Sequence, residues 1–209
     1  LHYNNGAVWP FVTGWVAAAQ FRYGNPAAGL FALRAIAGTT FDESRGRNPE
    51  VISGRVYKPL DTAVPQQFFA TSMVLTPMIR GLLGIDVDAP AMTLSVAPSL
   101  PAEMHDVSVR NIAVGPALVD LTLHRSEGKW QLEVIRRSSD ARPVHVRFSP
   151  WPGADRAVIV ADGTLKSRLA LTVADAGWDV STPAEPARIG NRSRALRIVA
   201  THAVGNAIV

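Results

Sequence analysis

The spacing of apolar and polar positions changes near residue 90. Upstream of it, apolar residues recur at helical intervals, and Gly24 and Pro26 punctuate the pattern between two helices. Pro77 predicts a kink near the end of a third helix. Residues 39–64 show little periodicity and predict a long loop, a kind of segment that is often functional. Three helices are predicted, over residues 8–23, 26–38 and 65–84.

Downstream of residue 90 the period becomes two. Val119 and Leu121, for example, alternate with Asp120 and Thr122, as in strands with one buried face. Residues 86–90 are interpreted as a linker between the two patterns. Eight short strands are predicted, over residues 93–97, 107–112, 117–123, 130–134, 144–148, 157–161, 169–173 and 196–200.

These patterns predict an α+β protein in two parts. Residues 1–91 form a helical segment of three or four helices, and residues 92–209 form an antiparallel β-sandwich. Several short strands at this spacing, with turn signals between them, are typical of such a sandwich.

Composition removes several classes of function. The 209 residues are 47% hydrophobic with a mean hydropathy of +0.11, which is typical of a folded chain. No apolar stretch reaches the length of a membrane span. The net charge is only +4 and the arginines are scattered, so no nucleic-acid partner is expected. The absence of cysteine excludes disulfides, thiolate metal sites and cysteine nucleophiles.

Carboxylates are the most informative of the candidate chemical groups. Acetal hydrolysis needs an acid and a base on opposite sides of the bond. Glu50 stands out in the helical segment, because it follows Pro49 and precedes an apolar pair within the long loop. The five histidines have no metal-ligand spacing, so no metal is expected, and no other cofactor is expected either. No Ser–His–Asp pattern that would indicate a serine nucleophile is present.

Aromatic and amide side chains are dense around this candidate base. Sugar sites use aromatic faces as apolar platforms and amides for the hydroxyls. Trp9 and Tyr57 are the candidate platforms, and Asn5 and Gln66 are the candidate hydroxyl contacts. Four further aromatic residues are interpreted mainly as helix-packing core: Phe11, Trp15, Phe68 and Phe69.

Two segments carry a resemblance to a known family. The run His2-Tyr3-Asn4-Asn5-Gly6-Ala7-Val8-Trp9-Pro10 with Gly14-Trp15, and the run Arg47-Asn48-Pro49-Glu50-Val51-Ile52-Ser53-Gly54, resemble motifs of glycoside hydrolases with an (α/α)6 toroid, the six-hairpin glycosidases. Tyr57-Lys58-Pro59 and Pro65-Gln66-Gln67-Phe68-Phe69-Ala70 are similar to the segment that follows. The nearest group is the amylo-α-1,6-glucosidases of the glycogen-debranching type, and the resemblance covers residues 2–90.

The resemblance implies the last part of a catalytic barrel followed by a C-terminal β-domain. It implies an inverting hydrolase of α-glucans or α-glucosides, with Glu50 as the general base and an oligosaccharide or α-glucan as substrate. A full toroid has twelve helices, and the family's general acid usually lies on an earlier part of the barrel, in a motif that no residue of this chain matches. We therefore expect this chain to need an N-terminal barrel portion, to be inactive alone and to be cytoplasmic.

Two alternatives stay open. In the first, the chain is a non-catalytic carbohydrate-binding or structural module. In the second, it is part of a toroid phosphorylase or transferase. The latter needs a basic phosphate pocket, for which Arg45, Arg47 and Arg55 are the available residues.

Overall fold

The computed structural model describes residues 3–42, 45–126, 128–150 and 161–174, together with residues 203–204 and 207–208. Strand β11, Ala203–Val204, pairs antiparallel with β12, Ala207–Ile208. The predicted strand at 196–200, and all but the last residue of the one predicted at 157–161, lie outside the described residues.

The described residues of the first part of the chain contain three α-helices: α1 at Pro10–Arg22, α2 at Pro26–Gly38 and α3 at Phe68–Thr76. Proline occupies the first turn of α1 and of α2, where its missing N–H costs nothing. Gly24, with φ of 84°, takes the left-handed conformation between them. After Thr76 the chain continues as a π-helical turn, Pro77–Leu82, where a kink is predicted.

Small residues let these helices approach closely around one aromatic ring. Phe21 of α1 is fully buried, and its ring lies against Gly29 of α2 and Gly81 of the π-helical turn. Gly14 of α1 meets Met73 of α3 so closely that an added Cβ would lie 2.3 Å from the methionine Cβ. The helices therefore pack by glycine contacts that a larger side chain would disrupt.

In the described residues from Ile85 to Ala174, the strands form two four-stranded sheets. One has the order β3-β4-β8-β9, and the other has the order β10-β7-β6-β5. Their buried residues belong to one continuous core, and Gly163 of β9 lies directly against Leu169 of β10 in the opposite sheet. The strands are β3 Ile85–Asp88, β4 Thr93–Val96, β5 Asp106–Val114, β6 Ala117–Ser126, β7 Lys129–Arg136, β8 Val144–Phe148, β9 Ala161–Leu165 and β10 Arg168–Ala174.

The α+β prediction is confirmed, with two departures in detail. Residues 86–90 are not simply a linker, because β3 pairs with β4 through Ile85–Val96 and Val87–Leu94. The sheets are also not wholly antiparallel, since β4 and β8 run parallel. A parallel pair needs a crossover, and β5, β6 and β7 of the other sheet supply it.

The helices and the sheets share their core at one junction. Leu82 of the π-helical turn and Ile85 of β3 are both buried in the same cluster as Phe21 and Leu94. Gly84 allows this junction, because it has φ of 60° and lies against the Ala97 carbonyl.

None of the helices in the described part of the chain combines the length and apolar character that crossing a bilayer needs.

Candidate functional site

A two-residue ladder brings together the two segments that the sequence singles out. Strand β1, Ala7–Val8, pairs antiparallel with β2, Ile52–Ser53. Gly6 has φ of 79° and turns the chain into β1, while Gly54 lies directly against the Gly6 carbonyl. The glycines of both segments therefore have a physical purpose, which is the close approach of two backbones.

Glu50 lies two residues before β2 and is only 8% exposed. Its backbone N–H donates to the Val64 carbonyl at 2.9 Å, and the Gln67 N–H donates to the Asn48 carbonyl at 2.9 Å. The chain on either side of Glu50 is thus fixed to the segment that leads into α3. Gln67 caps that helix by accepting from the Phe68 N–H.

The Glu50 carboxylate is held at both oxygens. Oε1 accepts a hydrogen bond from the Tyr3 hydroxyl, and Oε2 accepts one from the Val64 N–H at 3.1 Å. The nearby Gln67 side chain also favours the charged form of the carboxylate. These bonds lower the pKa of Glu50, and the Tyr3 bond has the largest effect. The same bond raises the pKa of the Tyr3 hydroxyl, so the pair consists of a carboxylate and a neutral phenol.

Trp9 contacts this pair through Tyr3. The two rings meet edge to face, with centroids 4.8 Å apart and an interplanar angle of 84°. Trp9 is also the N-cap residue of α1, and its carbonyl accepts from the Thr13 N–H and hydroxyl at 2.9 and 3.0 Å. Asn5 lies exposed on the turn between Tyr3 and β1.

A separate cavity of about 250 Å³ opens beside this ladder. Three prolines, Ile52 and several polar side chains line it. The cavity contains two of the predicted substrate contacts, Tyr57 and Gln66, but not Glu50, Trp9 or Asn5. The lining residues are Thr39, Asp42, Arg47, Pro49, Ile52, Tyr57, Lys58, Pro59, Pro65 and Gln66.

Polar side chains in this cavity are paired across it. The Tyr57 hydroxyl donates to Asp42 Oδ2 at 2.6 Å, and this carboxylate raises the pKa of Tyr57. Arg47 donates to the Gln66 side-chain carbonyl. Tyr57 lies near the tip of a hairpin in which the Ser53 N–H donates to the Lys58 carbonyl at 2.8 Å. The cavity therefore presents a carboxylate, a phenol, a guanidinium and an amide around a small space.

The predicted site residues thus fall into two groups. Glu50 and Trp9 join through Tyr3, whereas Tyr57 and Gln66 share the cavity. The sequence pattern does not identify Tyr3 or Gln67 as neighbours of Glu50, although both lie inside the quoted segments. The choice between the adjacent Gln66 and Gln67 depends on the direction of each side chain, which the sequence does not indicate.

A buried asparagine supports the site from behind. Asn48 is fully buried, and its Nδ2 donates to the Ile36 carbonyl at 2.8 Å and to Thr39 Oγ1 at 2.6 Å. Its backbone N–H donates to Thr71 Oγ1 at 3.1 Å. Asn48 therefore ties the end of α2 and the start of α3 to the residue pair that leads to Glu50.

The aromatic residues predicted as helix-packing core divide into two pairs. Phe11 and Phe69 are partly buried and contact each other with centroids 5.0 Å apart. Trp15 and Phe68 are instead 53% and 86% exposed. Other large apolar side chains of the helical part are exposed as well, among them Val12, Val16, Phe31 and Leu75.

Within the described residues, no cluster of three or more histidine and acidic side chains is placed to hold a metal ion.

Comparison of the chain with protein-family models, with curated proteins and with solved structures finds no match. The interpretation of the site therefore depends on its own chemistry and on the two quoted segments.

Proposed function

We propose that this chain is the base-bearing part of an inverting glycoside hydrolase that acts on α-glucans or α-glucosides. The observation that carries the proposal is the Glu50 carboxylate. It is shielded from bulk water and held at both oxygens by Tyr3 and Val64, at the place where the two quoted segments meet. These hydrogen bonds lower its pKa and so favour the ionised form that a base needs.

The hydrogen-bond count at Glu50 supports the role of a base. A carboxylate offers about four lone-pair positions. Tyr3 occupies one of them on Oε1 and Val64 occupies one on Oε2, which leaves a position on each oxygen where a water molecule could bind. In the proposed reaction this water attacks the anomeric carbon and transfers its proton to Glu50. A general acid on the N-terminal barrel portion protonates the leaving oxygen.

The neighbouring cavity supports a sugar substrate. Its volume is slightly below the range of about 300–1,000 Å³ that is usual for ligand pockets, so it suits one small polar unit such as a single sugar ring. Asp42, Arg47 and Gln66 offer acceptors and donors for hydroxyls, and the exposed ring of Tyr57 offers an apolar face. In this proposal Trp9 and Asn5 contact the sugar on the Glu50 side.

The exposed apolar side chains of the helices support a missing barrel portion. Helices with a second apolar face are typical of structures in which further helices cover that face. The chain is proposed to complete its toroid, and to gain its general acid, only within the full-length enzyme, for which a cytoplasmic location is proposed.

The two alternatives receive less support. Of the three candidate phosphate ligands only Arg47 lines the cavity, where it is bonded to Gln66, while Arg45 and Arg55 are exposed elsewhere. The described outer faces of the two sheets carry no exposed aromatic side chain on which a sugar could stack. These observations favour the hydrolase over the phosphorylase and the binding module.

The stereochemistry of the first product tests the proposal. The full-length protein encoded around this sequence is incubated with a linear maltooligosaccharide and with a singly branched glucan, and the products are followed by proton NMR. Inverting hydrolysis of an α-linkage releases the β-anomer first. Release of the α-anomer first, cleavage only in the presence of inorganic phosphate, or binding without cleavage would each contradict the proposal.

A further inference from the structure

The proposed role of Glu50 as a base does not by itself require the hydrogen bond that Glu50 accepts from Tyr3. The Tyr3 hydroxyl donates to Glu50 Oε1, while the backbone N–H of Val64 holds Oε2. A carboxylate held at a single oxygen can rotate about its last bond. One held at both oxygens from different parts of the chain has a fixed plane.

The position of Tyr3 is itself fixed by the first turn of α1. Its ring lies edge to face on Trp9, and Trp9 is the N-cap residue whose carbonyl binds Thr13. Trp9 and Tyr3 thus connect the first turn of α1 to the Glu50 carboxylate by direct contacts. Val64 transmits the position of the loop before α3 to the other oxygen.

We propose that Tyr3 is a positioning residue for Glu50, which fixes the plane of the carboxylate so that a free lone pair faces the attacking water. The inference depends on the proposed function. Tyr3 does not exchange a proton in this role, because its phenol stays neutral throughout.

The groups around Glu50 explain why this bond matters for its charge. The Tyr3 hydroxyl and the Val64 N–H donate to it, the Gln67 side chain also favours its charged form, and all three groups are uncharged. Hydrogen bonding, and not a neighbouring cation, therefore holds the pKa of Glu50 below its usual value. Removal of the Tyr3 hydroxyl, which lowers the pKa of Glu50 most, should raise that pKa while leaving the contact between the Tyr3 and Trp9 rings in place.

The test combines a titration with a rate profile on the variant Tyr3→Phe. Tyr23→Phe is the matched control, since Tyr23 is 69% exposed on the far end of α1. The chain contains six glutamates, so selective carbon-13 labelling of glutamate carboxyls gives a spectrum that is simple to titrate by NMR. The Glu50 signal is assigned as the one missing from Glu50→Gln.

We expect Tyr3→Phe to raise the titration midpoint of Glu50 and to move the acid limb of kcat/KM in the full-length enzyme to higher pH in parallel. We also expect kcat to fall by about tenfold to a hundredfold with little change in KM, as for a misplaced catalytic group. Tyr23→Phe should change neither.

An unchanged Glu50 midpoint in Tyr3→Phe would overturn the inference, and so would a raised midpoint with an unmoved rate profile. Full activity of Glu50→Gln would instead overturn the proposed function. The two failures are therefore distinguishable with the same set of variants.

Discussion

Replacement of Gly54 by alanine should separate the two segments that form the site. The new Cβ would lie 2.1 Å from the carbonyl oxygen of Gly6, and Gly6 and Gly54 directly flank the ladder of β1 and β2. Cβ contacts under 3.0 Å essentially never occur, so the strands must move apart by 0.9 Å, the difference between 3.0 and 2.1 Å.

That displacement is large on the scale that matters for a site. Overpacking of this kind costs about 1–3 kcal/mol of stability. Catalytic groups tolerate about 0.5 Å of misplacement, and about 1 Å costs on the order of a hundredfold in rate. We therefore expect Gly54→Ala to destabilise the 209-residue chain modestly and to weaken the pairing of Ala7–Val8 with Ile52–Ser53 selectively.

Hydrogen exchange followed by mass spectrometry measures this pairing without any assumption about function. Peptides that cover β1 and β2 should exchange faster in Gly54→Ala, while peptides from β6 and β7 should keep the exchange of the wild type. Urea unfolding of the same samples gives the change in overall stability.

Gly38→Ala is the matched control, because an added Cβ at Gly38 meets nothing within 4 Å and its backbone is helical. Alanine at such a position is neutral or stabilises by about 0.4–1 kcal/mol. Should Gly54→Ala behave like Gly38→Ala in both exchange and unfolding, the close approach of the two segments, and with it this account of the site, would be wrong.

Two further predictions concern stability. The Arg136 side chain is 7% exposed and donates to four backbone carbonyls, those of Asp140, Arg142, Lys166 and Leu165. Arg136→Met should therefore lower the free energy of unfolding, measured by urea titration, by about 2–4 kcal/mol. The control Arg110→Met, at an exposed position, should change this free energy little. Because the folded-state pKa of Glu50 is lowered and that of Tyr3 is raised, the stability that their bond contributes is present between about pH 4.3 and 10. It is lost as the pH falls through the lowered pKa of Glu50 or rises through the raised pKa of Tyr3. The difference in urea midpoint between the wild type and Tyr3→Phe should therefore be largest near neutral pH and shrink at both extremes, and a constant difference from pH 3 to pH 8 would refute it.

The strands were largely predictable because burial in a two-layer sheet repeats every second residue. Residues 117–123, 130–134 and 144–148 were predicted as strands and lie within β6, β7 and β8. The same rule was available for Ile85–Asp88, whose apolar and acidic residues alternate. There the two aspartates and Pro90 suggested a linker, and only the partner strand β4 reveals the pairing.

The helices were predictable in number but less so in extent. Pro10 and Pro26 mark the starts of α1 and α2. The third helix begins at Phe68 rather than at Pro65, because the backbone of Gln67 is extended and pairs with Asn48. No local pattern signals this, since it depends on a segment nearly twenty residues away.

For the site, the residue types were more predictable than their groupings. Glu50 was recognised from its flanking residues, and it is indeed shielded and held by hydrogen bonds. Its bond to Tyr3 joins positions 47 residues apart, and spacing along the chain carries no information on such a contact. The separation of Tyr57 and Gln66 from Glu50 is likewise a property of the fold alone.

The turnover of Glu50→Gln in the proposed full-length hydrolase tests the central claim most directly. The amide keeps the shape of the carboxylate but takes no proton from water, so kcat on an α-glucan should fall by about 10²–10⁴-fold while substrate binding, measured by calorimetry, survives. Glu103→Gln, at an exposed position between β4 and β5, should keep the activity of the wild type. Activity of Glu50→Gln within a few-fold of the wild type, with an intact fold, would contradict the claim that Glu50 is the general base.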